Sequence, residues 1–597
     1  MRNAETVLAT IHMRGQRGLP IRDIYRMLFI PDLYLRAYHK LYPNRGALTP
    51  GATPETVDGM SMAKINQLID DVRHERHRWT PVRRVYIAKR NGRQRPLGIP
   101  TWKDKLLQEV VRSILEAYYE PQFSPLSHGF RPHRGCHTAL QTIQSTWKGA
   151  RWFIEGDLAS YFDTINHDVL LRILSEQLHD NRFLRLIRHL LQAGYLEDWK
   201  RHHSMSGTPQ GGIASPILSN IYLHKLDQYV ESTLIPASTQ GTRRRTNPAY
   251  KALGRKITKL RRNGQRREAR RLRTQQQQLP ALDTHDSTYR RLRYVRYADD
   301  FLLGFAGPRH EAEVIKQAIA TFVQTELALE LSADKTLITH ASTGKARFLG
   351  YELVNQHNDS RHDNRHQRSI NGAIGLRVPT DVIQRKCAEY CSRGKPTHRS
   401  LLIFETDFSI VARYQAEYRG IVQYYQLALN VAHFWQLHWV MKTSLLKTLA
   451  AKHQTSRTKM ARKYHIIIQA PDGASHSCLQ VRVERPNKSP LIAQFGGISL
   501  KRQPWARLND QPSPPPQFPR SELLQRLQAD ECELCGSRQD VEVHHIRKLA
   551  DLKARDGSAR PTWVRLMAMR HRKTLVVCHA CHVAIHAGRP TRQRDTG

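Results

Sequence analysis

Two adjacent carboxylates, Asp299 and Asp300, are the residues of this sequence most suited to chemistry. They lie in LRYVRYADDFLLGF, residues 292–305, between two runs of apolar, β-branched and aromatic residues. That pattern predicts a β-hairpin with the acidic pair at its tip. Burying two acids between apolar strands is costly unless a cation neutralises them, and Mg²⁺ is typically held by carboxylates together with substrate phosphates. The stretch indicates a metal site for nucleotidyl transfer, with an exposed turn as the alternative.

A third carboxylate, Asp157, could join this pair. Residues 151–167 read RWFIEGDLASYFDTINH, which predicts a short strand at 152–154 that leads into Glu155, Gly156 and Asp157. If this strand lies beside the hairpin, the three acids can hold two metal ions, which lie about 3.5–4 Å apart in such enzymes.

Four cysteines near the C-terminus have the spacing of a zinc site. They form two CxxC pairs, Cys532 with Cys535 and Cys578 with Cys581. Two such pairs can supply four thiolates to one tetrahedral Zn²⁺. The site would be structural, because a module this small can bury little core.

Four histidines in the same region form a second set. His582 and His586 are four residues apart, which places them on one face of a helix, and His544 and His545 lie on a strand that precedes it. Two uses are open for this set. The histidines can take part in chemistry of their own, or the whole module can be a zinc ribbon that binds DNA without cutting it.

The composition indicates a polyanionic partner. The chain has 597 residues, with 94 Lys and Arg against 52 Asp and Glu, a formal net charge of +42. This surplus favours nucleic acid, with an anionic membrane as the weaker alternative. No apolar run is long enough for a transmembrane helix, and residues 1–15 lack the apolar core of a signal peptide. A chain of this length should contain about three to five domains.

Several further stretches could position nucleic acid or nucleotide. Residues 85–100 predict a basic hairpin around Asn91-Gly92, and Arg131 could contact a triphosphate or the template. The Pro-Gln-Gly-Gly turn containing Gln210 and Gly211 exposes backbone just before a helix that opens near Ser215. Each of these stretches could equally be an ordinary solvated turn.

The segments between and after these motifs are mainly helical. Residues 227–290 are rich in Arg, Lys and Gln and predict a basic helical insertion that grips RNA, with a passive loop as the alternative. Residues 381–463 predict helices, and residues 511–519 predict a Pro-rich spacer. Four tyrosines at helical spacing are expected to be core residues rather than base-stacking platforms: Tyr414, Tyr418, Tyr424 and Tyr425.

Seven stretches in order resemble the reverse transcriptase encoded within group II introns. They run from RPLGIPTWKDKLLQ through YVRYADDFLL to Lys335-Thr336 and FLGY at 348–351. The resemblance implies that Asp157, Asp299 and Asp300 bind catalytic Mg²⁺. It implies that Phe162 excludes the ribose 2′-hydroxyl and that Lys335 protonates the leaving pyrophosphate. Arg131, Gln210 and Gly211 would lie at the nucleotide site.

The C-terminal stretch resembles the HNH endonuclease, a ββα-metal fold. By that resemblance, His544, His582 and His586 hold a divalent ion, expected to be Mg²⁺, and His545 is the general base that activates water. Thr574 stands where many HNH modules have Asn, which puts only that residue's orienting role in doubt.

The resemblances imply a multidomain α+β protein. The expected parts are an N-terminal extension (1–80), reverse transcriptase fingers and palm (81–355), an α-helical thumb or maturase X domain (356–469), a DNA-binding region with a linker (470–520), and the ββα-metal HNH module (521–597). The expected function is splicing of the intron RNA, followed by retrohoming as a lariat ribonucleoprotein that uses target DNA and dNTPs. The implied location is the bacterial cytoplasm, in association with the nucleoid and without a membrane partner.

Two other functions remain open at this point. The chain could be a stand-alone or host-adopted reverse transcriptase without an intron partner. It could also be an RNA-binding splicing factor whose polymerase has decayed, although the three intact carboxylates argue against that.

Overall fold

The computed structural model has mixed α/β architecture. It describes residues 3–44, 46–88, 92, 94–197, 200–202, 211–283, 286–358, 370–469, 475–485, 488–508, 522–548 and 561–591. Within these ranges, no helix combines the length and the apolar character needed to cross a membrane.

The N-terminal region is mainly helical, as predicted. The side chain of Asn3 accepts the backbone N–H of Glu5, and Ser61 accepts that of Lys64. Such side chains start helices because they satisfy N–H groups that have no intrahelical partner. The elements are α1 (Ala4–Gln16), β1 (Ile21–Arg22), α2 (Ile24–Met27), α3 (Pro31–Leu41) and α4 (Met62–Arg73).

The next segment contains the predicted basic hairpin. Ala88 lies opposite Gln94 across its antiparallel strands, and Gly92 has a φ of 78°, which suits a tight turn. The elements are β2 (Val82–Ala88), β3 (Gln94–Ile99), α5 (Trp102–Tyr119), α6 (Cys136–Thr146), β4 (Trp152–Asp157), α7 (Tyr161–Thr164), α8 (His167–Ser175), β5 (Leu178–His179), α9 (Asn181–Gln192), β6 (Tyr195–Glu197), β7 (Lys200–His202), α10 (Ser215–Tyr229), a π-helical turn (Val230–Leu234) and α11 (Ile235–Ala237). The hairpin belongs to a sheet of order β3-β2-β6-β7.

The insertion is a basic helical hairpin, α12 (Pro248–Arg262) and α13 (Arg266–Gln278), which confirms the predicted helical character. Its predicted start at residue 227 is corrected. Asp227 is completely buried on α10, and helical structure continues to Ala237. Asp227 belongs to the core rather than to the insertion, because its carboxylate pairs with a buried arginine, Arg296.

A four-stranded sheet carries the acidic tip. The predicted hairpin is β8 (Arg291–Tyr297) and β9 (Asp300–Ala306), followed by α14 (Arg309–Leu327) and β10 (Ile338–His340). The sheet order is β10-β4-β9-β8, so β4 lies directly beside the hairpin. Every residue of β9 after Asp300 is buried, which explains its continuous apolar sequence.

The following region combines short strands with long helices. Tyr414, Tyr418 and Tyr425 are buried, which confirms their predicted core role, and Tyr424 packs against the same core. The hydroxyls of Tyr424 and Tyr425 donate to the carbonyls of Leu349 and Gly350, which ties the helix to the FLGY stretch. The elements are β11 (Ala346–Phe348), β12 (Tyr351–Asn355), β13 (Ile374–Arg377), α15 (Thr380–Ala388), β14 (Cys391–Ser392), β15 (Lys395–Pro396), α16 (Asp407–Tyr424), α17 (Trp435–Lys452) and α18 (Arg457–Tyr464), with 3₁₀ turns at Ser400–Leu402 and Val431–Phe434.

The predicted boundary between residues 469 and 470 is corrected, because it divides one antiparallel sheet. The strands are β16 (His465–Gln469), β17 (Ser475–Arg485) and β18 (Lys488–Phe495), in that order across the sheet. Phe495 packs on Tyr418 of α16 with ring centroids 5.8 Å apart, so the sheet shares the core of the helices before it. The predicted Pro-rich spacer at 511–519 lies outside the described residues.

The C-terminal module has the predicted ββα order. Its elements are α19 (Glu522–Gln528), β19 (Val541–His545), α20 (Thr562–Met569), β20 (Thr574–Cys578) and α21 (His579–His586). β19 and β20 pair antiparallel with His545 opposite Thr574. The hairpin and the helix that follows it carry all of the candidate metal-binding residues of this module except Cys532 and Cys535, which lie just before β19.

Candidate functional site

Three carboxylates lie close together at the ends of β4 and β9, the two inner strands of the four-stranded sheet. Asp157 and Asp300 are opposite residues on β4 and β9, and Asp299 precedes Asp300 on the hairpin turn. Ala298 has a φ of 54°, which is uncommon for a residue with a side chain and marks a tight turn. The three acids that the sequence singled out are thus brought together.

The electrostatics of this cluster suit divalent cations. Burial, Asp299 and Asp157, in that order, raise the pKa of Asp300 to about 7. Burial and then Asp157 also raise the pKa of Asp299. Acids crowded in this way repel one another, and a cation relieves the repulsion. Because all three offer carboxylate oxygens, the donor set fits Mg²⁺.

Lys335 lies at the rim of the same cluster. Its Nζ donates to Asp157 Oδ2 at 2.7 Å, and 67% of its side chain remains exposed. The hydrogen bond to Asp157 raises the pKa of Lys335, so the amine stays protonated. A protonated amine beside the acids is suitably placed to serve as a proton donor.

A buried ion pair that sequence reasoning missed supports the acidic turn. Arg296 and Asp227 are completely buried, with Arg296 Nη2 donating to Asp227 Oδ2 at 2.6 Å. Arg296 Nη1 also donates to the carbonyl of Ala298 at 2.9 Å. The tip of the hairpin is therefore held from below by a residue two positions before it.

Replacing Asp227 with alanine should destabilise the sheet that carries the acidic turn by about 3–5 kcal/mol, because it leaves the Arg296 charge buried without a partner. The loss is measured by hydrogen exchange of the β8 and β9 amides. Asp168→Ala is the control, since that carboxylate is 85% exposed and 3.8 Å from Arg188. It should cost less than about 1 kcal/mol. Equal losses in both variants would contradict the supporting role of the buried pair.

Two glycines allow the close packing of this site. A Cβ on Gly129 would lie 2.3 Å from the backbone nitrogen of Ala298. A Cβ on Gly156 would lie 2.1 Å from the ring of Phe301. The stretch containing Gly129 therefore packs directly against the acidic turn.

Phe162, Gln210 and Gly211 were predicted to lie at the nucleotide site, and two of the three lie within the described residues. Phe162 is half-buried on α7, next to Tyr161 and shortly after Asp157. Gly211 has a φ of 104°, and a Cβ there would lie 2.5 Å from the carbonyl of Gly98. Gln210 lies outside the described residues. Gly211 therefore packs closely on β3, and the nucleotide-site roles of Phe162 and Gly211 remain predictions.

Arg131 has a structural position instead of the predicted nucleotide contact. Its guanidinium donates to the carboxylate and carbonyl of Glu120 and to the carbonyls of Ser124 and Ser127. Only 3% of the residue is exposed. All the donor directions of this arginine are used inside the protein, which corrects the prediction that it contacts a triphosphate.

The four C-terminal cysteines form one compact cluster, as predicted. Their sulfur atoms lie within 4.8 Å of one another, and Cys535 and Cys578 are 3.7 Å apart. A tetrahedral zinc with bonds of about 2.3 Å requires sulfur separations of about 3.8 Å. The set of four thiols therefore fits structural Zn²⁺.

Cys535→Ser should release this metal and loosen the C-terminal module, because the module's own apolar cluster is built around the same cysteines. We expect lower zinc content, faster proteolysis after residue 521 and loss of DNA nicking. Primer extension should be unchanged. Cys391→Ser, which changes a half-buried cysteine outside this cluster, is the matched control. Normal zinc content in Cys535→Ser would exclude the assigned ligand set.

The three histidines predicted to bind metal also converge. His582 Nε2 lies 3.1 Å from His544 Nδ1 and 3.0 Å from His586 Nε2. Metal–nitrogen bonds of about 2.1 Å in a tetrahedral site require nitrogen separations of about 3.4 Å, so the cluster fits a divalent ion. Asp58, from the N-terminal region, lies among these histidines and was not found by sequence reasoning.

One acidic residue, Glu542, orients the histidine cluster. Glu542 Oε1 is 2.7 Å from His582 Nδ1, which leaves Nε2 free for a metal. His545, the predicted general base, is buried at the end of β19, and Thr574 accepts a hydrogen bond from Arg526. Glu542 directly precedes the VHH stretch and lies two residues before His544, on the same face of that strand, so this acidic residue was the available signal.

Three family models match successive parts of the chain. The model for "Reverse transcriptase (RNA-dependent DNA polymerase)" matches residues 87–353, and "Type II intron maturase" matches residues 373–492. The model for "AI2M/AI1M-like, HNH endonuclease" matches residues 532–582. The acidic cluster and the cysteine and histidine clusters fall within, or at the border of, the first and third matches.

Curated relatives match almost the whole chain. "Group II intron-encoded protein LtrA" of Lactococcus lactis subsp. cremoris is 38% identical, over 98% of this chain and 99% of the relative. "Uncharacterized 91 kDa protein in cob intron" of Schizosaccharomyces pombe is 35% identical, over 96% of this chain and 71% of the relative. "Putative COX1/OXI3 intron 1 protein" of Saccharomyces cerevisiae is 31% identical, over 93% of this chain and 68% of the relative.

Proposed function

This chain belongs to the group II intron-encoded proteins, and from that premise we propose how its parts act on one RNA and one DNA. It is an RNA-directed DNA polymerase and an HNH endonuclease with a maturase domain. The protein binds its intron RNA, promotes splicing and remains with the lariat. The ribonucleoprotein then enters a DNA target, the HNH module nicks one strand, and the new 3′ end primes cDNA synthesis.

The region 81–355 acts as fingers and palm, and the helices that follow it act as the thumb. Asp157, Asp299 and Asp300 would hold two Mg²⁺ ions, which supply charge neutralisation for nucleotidyl transfer. Lys335 donates a proton to the leaving pyrophosphate, and its hydrogen bond to Asp157 keeps it protonated and in place. Phe162 excludes the ribose 2′-hydroxyl, and Gly211 lets the substrate approach the backbone.

The HNH module cuts DNA by general base catalysis. His544, His582 and His586 would hold a divalent ion, which supplies electrophilic assistance at the phosphodiester. His545 accepts the proton of the attacking water. Glu542 keeps His582 in the orientation that ligation requires, through its 2.7 Å contact with Nδ1. The zinc site formed by the four cysteines maintains the shape of the module.

The basic helical insertion and the thumb bind the intron RNA. The insertion's exposed cations supply phosphate contacts without sequence preference. Among the described insertion helices, Glu268 is the one acidic residue, so repulsion of phosphate is weak. The exposed basic residues of α12 and α13 include Lys251, Arg255, Lys259, Arg262, Arg266 and Arg267.

The observation that carries this proposal is the convergence of the three palm carboxylates, where burial and the two neighbouring acids raise the pKa of Asp300 to about 7. The same chain also contains the cysteine and histidine clusters. An intact acidic site supports active polymerisation rather than a decayed polymerase. A stand-alone reverse transcriptase is the alternative function, and the maturase and HNH matches favour the intron-associated one.

The proposal is tested by native purification at moderate salt and sequencing of the RNA that copurifies. The expected result is one dominant structured RNA in lariat form, retained when salt is raised. A mixed RNA population released by salt would mean that the net charge of +42 alone drives binding, and it would contradict the maturase role.

A further inference from the structure

The N-terminal region is docked on the nuclease through a fitted interface. Gly59 N–H donates to the carbonyl of Val543 at 2.9 Å, and Val543 N–H donates to that of Met60 at 2.8 Å. Met60 is buried, and Val541 and Val543 belong to the same apolar cluster as the N-terminal helices. The free edge of β19 is thereby paired, so this docking is a substantial packing contact.

Asp58 extends from this contact into the histidine cluster. Its Oδ2 lies 2.8 Å from His586 Nε2 and 3.3 Å from His582 Nε2. Its Oδ1 lies 3.6 Å from His544 Nδ1 and accepts the backbone N–H of His545 at 2.7 Å. The carboxylate is therefore fixed by a backbone bond while it faces all three histidines.

The four groups have the separations of a complete coordination shell. All four ligand atoms lie within 4.8 Å of one another. Neighbouring ligand atoms in a tetrahedral site lie about 3.4 Å apart when metal–ligand bonds are about 2.1 Å long. Protein sites with four ligands are typically structural, whereas catalytic sites keep one position open for water or substrate.

A second N-terminal residue forms a hydrogen bond with the proposed general base. The hydroxyl of Tyr38 is hydrogen-bonded to His545 Nε2 at 2.8 Å, and both residues are buried. A base must reach the proton that it removes, directly or through one water. With Tyr38 in place, this ring nitrogen faces the N-terminal helix α3 rather than a substrate.

We propose that Asp58 is the fourth ligand of the nuclease metal and that, together with Tyr38, it holds the endonuclease closed in the free protein. This inference rests on the proposed histidine metal site. Nicking requires the N-terminal region to withdraw, so that a DNA phosphate oxygen can take the place of the Asp58 oxygen. Because both are anionic oxygens, the exchange leaves the charge at the site balanced.

A closed resting state suits a protein of this charge. A net charge of +42 favours contact with any DNA, regardless of sequence. A nuclease that was open at all times would then cut wherever the protein bound. Coupling the metal site to the N-terminal region would restrict cutting to complexes in which that region has found another partner.

The test measures metal binding and nicking separately in the full-length protein with its zinc retained. Co²⁺ is titrated in excess Mg²⁺, which occupies the palm carboxylates while the imidazoles favour Co²⁺. Asp58→Ala should weaken Co²⁺ binding by at least about tenfold. It should also weaken the strong visible absorption of four-coordinate Co²⁺. Nicking of plasmid DNA by the free protein at saturating metal should rise at least about fivefold.

Three further variants make the outcomes distinct. Tyr38→Phe, which removes only the hydroxyl, should raise nicking without changing Co²⁺ affinity. Asp71→Ala, which changes an N-terminal carboxylate bonded to Gln67, should change neither. His586→Ala should lose the Co²⁺ signal.

Two results would overturn this inference without touching the nuclease assignment. One is unchanged Co²⁺ affinity in Asp58→Ala, and the other is a fall in its nicking, as expected for a ligand that stays in place during catalysis. Normal Co²⁺ binding by His586→Ala would instead overturn the proposed histidine metal site, and this inference with it.

Discussion

Asp299→Ala is expected to abolish cDNA synthesis while splicing of the intron RNA continues. The substitution removes one of the three carboxylates proposed to hold the Mg²⁺ ions, which would neutralise charge on the transferring phosphate. We expect a rate loss of at least about 10²–10³-fold. Splicing should continue because the maturase match begins at residue 373, well after the acidic hairpin. The measurement is primer extension on the intron RNA, alongside a splicing assay on the same preparation.

The control for this prediction is Asp334→Ala, which removes an exposed carboxylate next to Lys335. It should extend primers nearly as well as the unaltered protein. Loss of both activities in a folded Asp299→Ala protein would contradict the separation of polymerase and maturase functions.

His545→Ala is expected to abolish nicking of the DNA target by the ribonucleoprotein. Removing a general base typically costs about 10²–10⁴-fold in rate. Primer extension from an annealed oligonucleotide should be unaffected, since the three carboxylates fall within the reverse transcriptase match and His545 falls within the HNH match. The measurement is strand cleavage of end-labelled target DNA.

His571→Ala serves as the comparison, because it changes an exposed histidine in the same module. It should nick at the normal rate. Retained nicking in His545→Ala would remove this residue from the mechanism and leave the base unidentified.

The sequence was most informative where local pattern and chemistry coincide. The hairpin around Asp299 and Asp300 could be predicted because both of its strands are contiguous apolar runs. The register that places Asp157 opposite Asp300 could not be predicted, because it joins strands more than 130 residues apart. The family resemblance supplied that neighbour relationship, and the sheet order agrees with it.

Buried charges were the main omission. Arginine is almost never fully buried unless it is paired, so nothing local marks Arg296 as a core residue that supports the acidic turn. Its partner Asp227 lies in a stretch that was assigned to the insertion. Arg131 shows the opposite error: a motif arginine was expected at the substrate, although its donors are used by Glu120 and nearby carbonyls.

Contacts across the whole chain were also invisible to sequence reasoning. Asp58 meets His544 from a position 486 residues earlier, in a turn-rich stretch without a metal-binding motif. The correct start of the sheet that spans residues 469 and 470 could have been predicted from the sequence more easily. The run HIIIQ at His465–Gln469 is rich in β-branched residues, which indicates a strand and could have moved the predicted boundary towards the N-terminus.

The most direct test of this mechanism is target-primed synthesis by the purified ribonucleoprotein on DNA labelled at the strand to be nicked. We expect intron cDNA joined to the label, a labelled nick without extension in Asp299→Ala, and neither product in His545→Ala. The His545→Ala ribonucleoprotein should still extend a supplied primer. Labelled cDNA formed equally well by His545→Ala would contradict the claim that this chain makes its own primer by nicking.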